Sequence, residues 1–231
     1  MNVLGIESSG RVGSAAAWAN GQTLVEETLT DGMSHGRMLV NLIDRVLAKA
    51  GWSKTSDVHL IAVSRGPGSF TGLRVGLTCA KTLATMAHLP IVGVCSLDAM
   101  ALNAGKPFER VLTVLDAKRG DVYAAAYERR ENVMERVHDP EAMAPEQAKT
   151  LLASPMLVMG DALLRHSTTF ISGSNQAAPE ELWRIRATRV AELGWRAFSA
   201  GYRDDPLALD PLYLRRPEAE EKRLAREKGA S

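Results

Sequence analysis

The hydrophobic pattern of the chain changes its period once, and this change constrains the fold more than any other feature. Before about residue 30, the apolar residues form three short strand-like runs, with Asn20-Gly21 as a hairpin signal between the second and the third. After that point, segments with helical spacing alternate with short apolar runs. Three strands followed by helix, strand, helix, strand and helix predict a mixed sheet covered by crossover helices, an α/β architecture. The predicted strands are Val3–Glu7, Ser14–Trp18, Thr23–Leu29, Val58–Ser64 and Pro90–Val94, and the predicted helices are Arg37–Ala50, which Ser34 would cap, Gly72–His88 and Ser96–Asn103.

A weak internal repeat extends this prediction to the second half of the chain. The repeat makes Glu7 correspond to Asp116 and Trp18 to Tyr127. Chance similarity between two alanine-rich strands is the alternative explanation. The repeated segments are Val3–Ile6 with Gly13–Trp18, and Val111–Leu115 with Val122–Tyr127.

The element order matches the ribonuclease-H-like lobe of the actin, sugar-kinase and Hsp70 group, in which the lobe is doubled. We therefore predict two ribonuclease-H-like α/β lobes, residues 1–104 and 105–231, the second less regular and ending in a tail from about residue 217. The second half also contains two predicted helices and one strand, which are Pro145–Leu152, Arg186–Gly201 and Met156–Met159.

The charge balance argues against a protein that grips nucleic acid alone. Twenty-eight Lys and Arg stand against 27 Asp and Glu, a net charge of +1. Such proteins usually carry a basic face, because neutralisation of phosphates supplies most of their affinity. The basic residues between Arg215 and Lys228 are interrupted by glutamates, which is typical of a solvated tail.

The cysteines and the hydropathy favour a cytoplasmic protein. Cys79 and Cys95 lie in apolar segments without the spacing of metal ligands, as buried thiols of a reducing compartment do. No basic and apolar leader precedes the first strand, and no run approaches the roughly 18 apolar residues of a membrane span.

Two segments carry the residue types of a phosphate site. An acid at a strand end can hold Mg²⁺, and glycines at a helix N-terminus let backbone N–H groups approach an anion. The alternative is structural: a strand-end acid that caps a turn, and small residues that let a helix pack closely. The residues concerned are Glu7, Ser8 and Ser9 in one segment and Gly66, Gly68 and Ser69 in the other.

Three sequence blocks together resemble the TsaB family, also called YeaZ, a paralogue of the TsaD enzymes. The blocks are Gly-Pro-Gly-Ser-Phe-Thr-Gly-Leu-Arg-Val-Gly at 66–76, Asp-Ala-Lys-Arg-Gly-Asp-Val-Tyr at 116–123 and Pro-Leu-Tyr-Leu-Arg at 211–215. Ser34-His35 before an amphipathic helix also fits the family. One departure is Glu7-Ser8-Ser9, where TsaB proteins more often have Asp-Thr-Ala or Asp-Thr-Ser.

The histidines distinguish this chain from the TsaD paralogues, which resemble proteins that bind a metal through a His-x-x-x-His helix. No two of the five histidines lie three to five residues apart. Cys95 and Asp98, in the segment where TsaD keeps its pair, offer two ligands at most. We therefore expect neither a catalytic residue nor a metal site, and no cofactor bound by this chain alone.

The helix at 37–50 carries adjacent apolar pairs, a stripe wider than a minimal core seam, which suggests a second contact surface. The resemblance implies that TsaB pairs with TsaD through this helix and the next, and that isolated TsaB uses the same patch for a homodimer. The predicted interface residues are Met38, Leu39, Leu42, Ile43, Val46, Leu73, Gly76, Ala80 and Leu83.

The resemblance further implies a non-catalytic subunit that activates TsaD for threonylcarbamoylation of the adenosine next to the tRNA anticodon. It also implies an ATPase partner, TsaE, through which the complex uses ATP, a donor made by TsaC, and tRNA contacts only within the complex. Two other functions stay open from the residues: an independent ATP-dependent kinase or transferase of the actin-like group, and a glycoprotease-like peptidase.

Overall fold

The structure is a computed structural model that describes residues 1–29, 36–131, 133–153 and 155–215, without the side chains of Gly36, Arg37 and Lys54. The described residues form two five-stranded mixed sheets and six α-helices. The predicted helix cap Ser34, the neighbouring His35 and the tail from about residue 217 lie outside the described residues. Within the described part, no helix has the length and apolar character that crossing a membrane requires.

The first sheet follows the predicted order of elements. Its strands lie in the order β3-β2-β1-β4-β5, with β1 antiparallel to β2 and parallel to β4. The central strands β1 and β4 are buried almost throughout, as strands covered on both faces are. The elements are β1 (Asn2–Glu7), β2 (Ser14–Ala19), β3 (Gln22–Thr28), α1 (Gly36–Lys49), β4 (Leu60–Gly66), α2 (Phe70–Ala87), β5 (Ile91–Cys95) and α3 (Ser96–Ala101).

The second sheet repeats this connectivity and confirms the doubled lobe. Its order β10-β9-β6-β7-β8 reproduces that of the first sheet with each strand in the equivalent place. Strand β8 and helix α5 were not predicted, and β8 is a half-exposed edge strand without a clear alternation of apolar residues. The elements are β6 (Arg110–Asp116), β7 (Val122–Arg130), β8 (Val133–Met143), α4 (Pro145–Lys149), β9 (Leu157–Met159), α5 (Leu163–Phe170), β10 (Gln176–Ala177) and α6 (Ala187–Ser199).

Strand register tests the residue correspondences of the repeat. Trp18 pairs with Val3, and Tyr127 pairs with Val111, on the equivalent strands of the two lobes. All four side chains belong to the same hydrophobic cluster. The correspondence of Trp18 with Tyr127 is therefore confirmed.

The same register corrects the correspondence of the acids. Val3 and Val111 are equivalent in this register. Glu7 lies four residues after Val3, and the residue four after Val111 is Leu115, not Asp116. Strand β6 runs one residue further than β1 before its turn, which a comparison of sequences without strand pairing cannot detect. The two carboxylates consequently point to non-equivalent faces of their sheets.

The C-terminal segment of the predicted second domain, residues 105–231, returns to pack on the first lobe. Helix α6 packs on β1, β2 and β4 of the first sheet. Gly5 permits this approach, because a Cβ there would overlap the carbonyl oxygen of Ala187. Beyond α6, Asp204 forms a bridge with Ile91, and Leu209 is buried in the core of the first lobe. The first lobe is thus completed by chain from the second half of the sequence.

Candidate functional site

The loop after β1 and the glycine-rich segment before α2 are joined by hydrogen bonds at the end of the first sheet. The backbone N–H of Ser69 donates to the carbonyl oxygen of Ser9 over 2.8 Å. The hydroxyl of Ser8 donates to the carbonyl oxygen of Gly72 over 2.8 Å. The predicted candidate residues of both segments are therefore brought together.

The glycines of this segment make room for that loop. A Cβ at Gly68 would overlap the carbonyl oxygen of Ser9, and one at Gly72 would overlap that of Ser8. A Cβ at Gly76, one turn further along α2, would overlap the hydroxyl of Ser8. The missing side chains thus face the protein's own backbone rather than an open phosphate cradle, which favours the packing interpretation.

The side chain of Ser69 caps α2. Its Oγ accepts a hydrogen bond from the backbone N–H of Gly72 over 3.2 Å, which satisfies one of the unpaired donors at the start of the helix. Gly66 has a positive φ of 108°, which glycine adopts without strain, and Pro67 follows it in the turn. Both residues serve the connection from β4 into α2.

Glu7 binds the loop after β1 from its buried side. The carboxylate is fully buried, and its Oε1 accepts hydrogen bonds from Ser9 N (2.6 Å), Ser9 Oγ (2.7 Å) and Gly10 N (2.8 Å). Burial raises the pKa of Glu7 above its usual range and outweighs the hydrogen bonds from Ser9 and Gly10, which lower the pKa. One oxygen is thus committed to the loop, and among the described residues no group of three His, Cys, Asp or Glu side chains is arranged to hold a metal ion.

A cleft of about 570 Å³ lies between this loop and the turn after β6. Asp116, the acid of the second lobe, lines it and accepts hydrogen bonds from Lys118 N (2.7 Å) and Lys118 Nζ (2.9 Å). Burial pushes the pKa of Asp116 up, but the hydrogen bonds from Lys118 and the charges of Lys118 and Arg165 outweigh it and lower the pKa. The carboxylate of Asp116 at the cleft is therefore hydrogen-bonded to groups of the same chain.

The three blocks that carry the family resemblance meet beside this cleft. Phe70 of the first block and Tyr213 of the third have ring centroids 5.5 Å apart, and the Arg74 guanidinium lies 3.9 Å above the Phe70 ring. Arg215 of the third block forms an ion pair with Asp121 of the second, at 3.2 Å. Segments far apart in sequence thus form one junction between the lobes.

The structure places most of the predicted interface residues in the core of this chain. Helix α1 packs on β2 and β3 on one side and on α2 on the other, so both halves of its wide apolar stripe are covered. Met38 and Leu83 are partly buried, and the other seven are fully buried: Leu39, Leu42, Ile43, Val46, Leu73, Gly76 and Ala80.

The solvent-facing surface of these two helices is formed by residues that were not predicted. Val40 of α1 is 46% exposed, and Phe70 and Met86 of α2 are 45% and 79% exposed. The sequence signal for them was an apolar residue outside the main stripe, as at Val40 between the pairs Met38/Leu39 and Leu42/Ile43. These three side chains are apolar groups that the two helices leave open to solvent.

Asp98 and Cys95, the two potential ligands near α3, have other partners. Asp98 Oδ1 accepts hydrogen bonds from the Tyr127 hydroxyl (2.9 Å) and from Arg136 Nε (3.0 Å), and Arg136 also pairs with Oδ2. Burial, with the nearby charge of Asp98, raises the pKa of the Cys95 thiol to about 12. Asp98 therefore joins the first lobe to β7 and β8 of the second.

Comparisons with known proteins agree with one another. Residues 31–177 match the family model described as TsaD, tRNA N6-adenosine threonylcarbamoyltransferase. The chain is 34% identical over 185 residues to the Bacillus subtilis tRNA threonylcarbamoyladenosine biosynthesis protein TsaB, covering 74% of this chain and 76% of the relative. It is 36% identical to the Escherichia coli protein of the same name over 145 residues, 62% of each chain.

Solved structures share the fold. YeaZ from Pseudomonas aeruginosa superposes with a TM-score of 0.80 at 23% identity, covering 92% of this chain and 99% of that one. The ROK hexokinase from Thermus thermophilus superposes with a TM-score of 0.53 at 11% identity, covering 87% of this chain and all of that one. Both place the chain in the two-lobed α/β architecture that includes sugar kinases.

Proposed function

Because the chain belongs to the TsaB family, we propose that it acts in the biosynthesis of threonylcarbamoyladenosine in tRNA as a non-catalytic partner subunit of TsaD. The single observation that carries this proposal is the similarity to the TsaB proteins of Bacillus subtilis and Escherichia coli, which covers 74% and 62% of this chain. The match to the TsaD model over residues 31–177 supports a paralogue of the enzyme as the partner.

The contacts of the two strand-end acids support a role without chemistry of its own. Glu7 is fully buried, with Oε1 held by Ser9 and Gly10, and Asp116, which lines the cleft, is held by Lys118. The glycine-rich segment packs on Ser8 and Ser9. In this proposal ATP is used by the TsaE subunit of the complex, and tRNA is bound by a composite surface.

The docking face in this proposal is the exposed side of α1 and α2. Val40 and Met86 offer apolar area there, and Phe70 with Arg74 offers the aromatic and guanidinium groups that dominate many protein interfaces. A homodimer of the isolated chain would use the same face and compete with TsaD.

Co-purification with TsaD of the same organism tests the proposal. We expect Val40→Glu combined with Met86→Glu to abolish the complex, because two charges would be buried at the interface, while the melting temperature of the isolated chain stays within about 2 °C. Val137→Glu, on an exposed residue of β8 in the second lobe, is the matched control and should leave the complex intact.

Retention of TsaD by the double variant would contradict this docking face, and failure of the unaltered chain to bind TsaD would contradict the partner role. Calorimetry with Mg-ATP on the isolated chain distinguishes the partner role from the kinase alternative. Micromolar binding with turnover there would replace the partner proposal by an ATP-dependent enzyme.

A further inference from the structure

The side chain of Arg65, at the start of the glycine-rich segment, has no role in the packing described above. Its carbonyl oxygen accepts a hydrogen bond from Leu212 N over 2.6 Å, which anchors the C-terminal segment. Its guanidinium, however, makes no hydrogen bond or ion pair with any residue that the structure describes, and Nε is buried without a partner.

An unpartnered buried guanidinium nitrogen is unusual. The group carries five N–H donors in a planar fork and stays charged at every relevant pH. A buried donor without an acceptor costs roughly 1–3 kcal/mol, so native structures leave few of them. The buried Nε of Arg65 is thus a donor that no described group of this chain satisfies.

Arg65 lines a cavity of about 370 Å³ on the side of β5 away from α2, here called the Arg65 cavity. Gly93 lets Arg65 and Leu209 pack closely over β5, because a Cβ at that position would lie 3.0 Å from Arg65 Cδ and 2.7 Å from Leu209 Cδ1. The apolar part of its wall comes from β5, α6 and the C-terminal segment: Val92, Val94, Leu193, Ala197 and Leu212.

The acids near the Arg65 cavity are already engaged. Asp204 accepts hydrogen bonds from Gly93 N through Oδ2 and from the Tyr202 hydroxyl through Oδ1, each at 2.8 Å. Asp98 is held by Arg136 and Tyr127. Since neither carboxylate pairs with Arg65, the cavity combines one available cation with apolar walls.

We propose that the Arg65 cavity binds a small monocarboxylate with a short apolar body. The carboxylate would accept hydrogen bonds from the planar guanidinium fork of Arg65, a geometry that suits two parallel N–H···O bonds. The apolar body would lie against the wall formed by Leu193 and Val94. A phosphate dianion fits less well, because two charges would meet one available cation between Asp98 and Asp204.

Titration of the full chain with isobutyrate, followed by amide chemical shifts in NMR, tests this site. We expect saturable shifts at Gly93 and Tyr202 with a millimolar dissociation constant. Isobutyramide, which has the same shape without the charge, should cause none. Arg65→Met should weaken isobutyrate binding by about tenfold or more, since charge-assisted hydrogen bonds are lost. Arg165→Met, at an exposed arginine of α5, is the control and should bind normally.

A second variant keeps the test informative if Arg65→Met does not fold. Ala197→Glu places a carboxylate on α6 at the wall of the cavity, where it should pair with Arg65 and abolish isobutyrate binding. Equal shifts with isobutyramide, unchanged affinity in the Arg65 variant, or tighter Arg65-dependent binding of inorganic phosphate would each overturn the proposal. None of these outcomes depends on TsaD, so the partner role stands or falls separately.

Discussion

At the scale of single residues, Glu7 illustrates how a carboxylate acquires a structural task. The same position can hold Mg²⁺ in a nucleotide-binding lobe, but here Oε1 accepts three hydrogen bonds from the loop that follows it. Oε2 and the hydroxyl of Ser64 are both buried without a hydrogen-bond partner among the described residues. The carboxylate therefore stabilises the loop while its own burial raises its pKa.

We predict that Glu7→Gln stabilises the protein at neutral pH. Because the folded pKa of Glu7 is raised, the unfolded chain loses its proton first as pH rises above the ordinary value of 4.5, and the folded state is penalised from there upward. Glutamine keeps the acceptor for Ser9 and Gly10 without this penalty. Denaturant unfolding from pH 4 to 8 should therefore show an advantage of the variant that grows with pH.

Glu27 provides a control of opposite sign. Hydrogen bonds from Lys49 and Arg45 lower its pKa, so its stabilising contribution is present above the ordinary value and is lost as pH falls. Glu27→Gln should accordingly lower the unfolding free energy slightly at neutral pH, and this difference should disappear at low pH. A Glu7→Gln variant whose relative stability does not change with pH would contradict the raised pKa.

At the scale of elements, the junction between the β1–β2 loop and α2 explains the glycine spacing. Gly72 and Gly76 lie one helical turn apart on α2, so both present a bare Cα to Ser8, and Gly68 in the turn before the helix presents one to Ser9. The hydroxyl of Ser9 also lies 2.7 Å from that of Ser96 at the start of α3. The loop is therefore held between two helices in this chain.

We predict that Gly76→Ala costs about 1–3 kcal/mol of unfolding free energy, because the new methyl group overlaps the Ser8 hydroxyl. In a Ser8→Ala background that cost should fall by about 1 kcal/mol or more, since the overlapping atom is gone. The cost of Gly72→Ala should not fall, because its methyl group meets the backbone oxygen of Ser8. Chemical denaturation of the single and double variants measures the coupling.

Gly105 supplies the matched control, because a Cβ there has nothing within 4 Å. Gly105→Ala should change the stability by less than about 0.5 kcal/mol. Additive costs of Gly76→Ala and Ser8→Ala would contradict the proposed contact.

At the scale of the whole molecule, the two lobes are joined by exchanged elements. Helix α6 follows the second sheet in sequence but covers the first, while α3 follows the first sheet and contacts β6, β7 and β8. The pairing of Asp98 with Tyr127 and Arg136 adds a charged tie between α3 and the second sheet. The lobes are thus not separable at a single point in the sequence.

We predict that Arg136→Met lowers the unfolding free energy by about 1–3 kcal/mol, because Asp98 would keep only Tyr127 as a partner in a half-buried position. Arg110→Met removes an exposed pair with Glu128 and should cost about 0–1 kcal/mol. Thermal unfolding of the two variants compares them directly. Equal losses would show that the tie between the lobes contributes no more than a surface ion pair.

The sequence by itself determined the kind and order of most elements, because hydrophobic period and turn residues act within a few residues of chain. That information placed β1 to β5 and α1 to α3, and it identified the doubled lobe through the strands around Asp116. The edge strand β8 was not predicted, because its residues are half-exposed and show no clear alternation of apolar and polar residues. The blocks at 66–76 and 211–215 likewise indicated the family without any knowledge of their contact.

Only the tertiary structure decided what covers each surface. The wide stripe of α1 indicated a surplus of apolar area, but α2 and the sheet together bury Leu42 and Val46, and Val40 is left outside. The sequence likewise contained no indication that α6 returns to the first lobe or that the Arg65 guanidinium is unpaired. The physical reason is that a local period fixes where a side chain points, whereas the chain's long-range path decides what it meets.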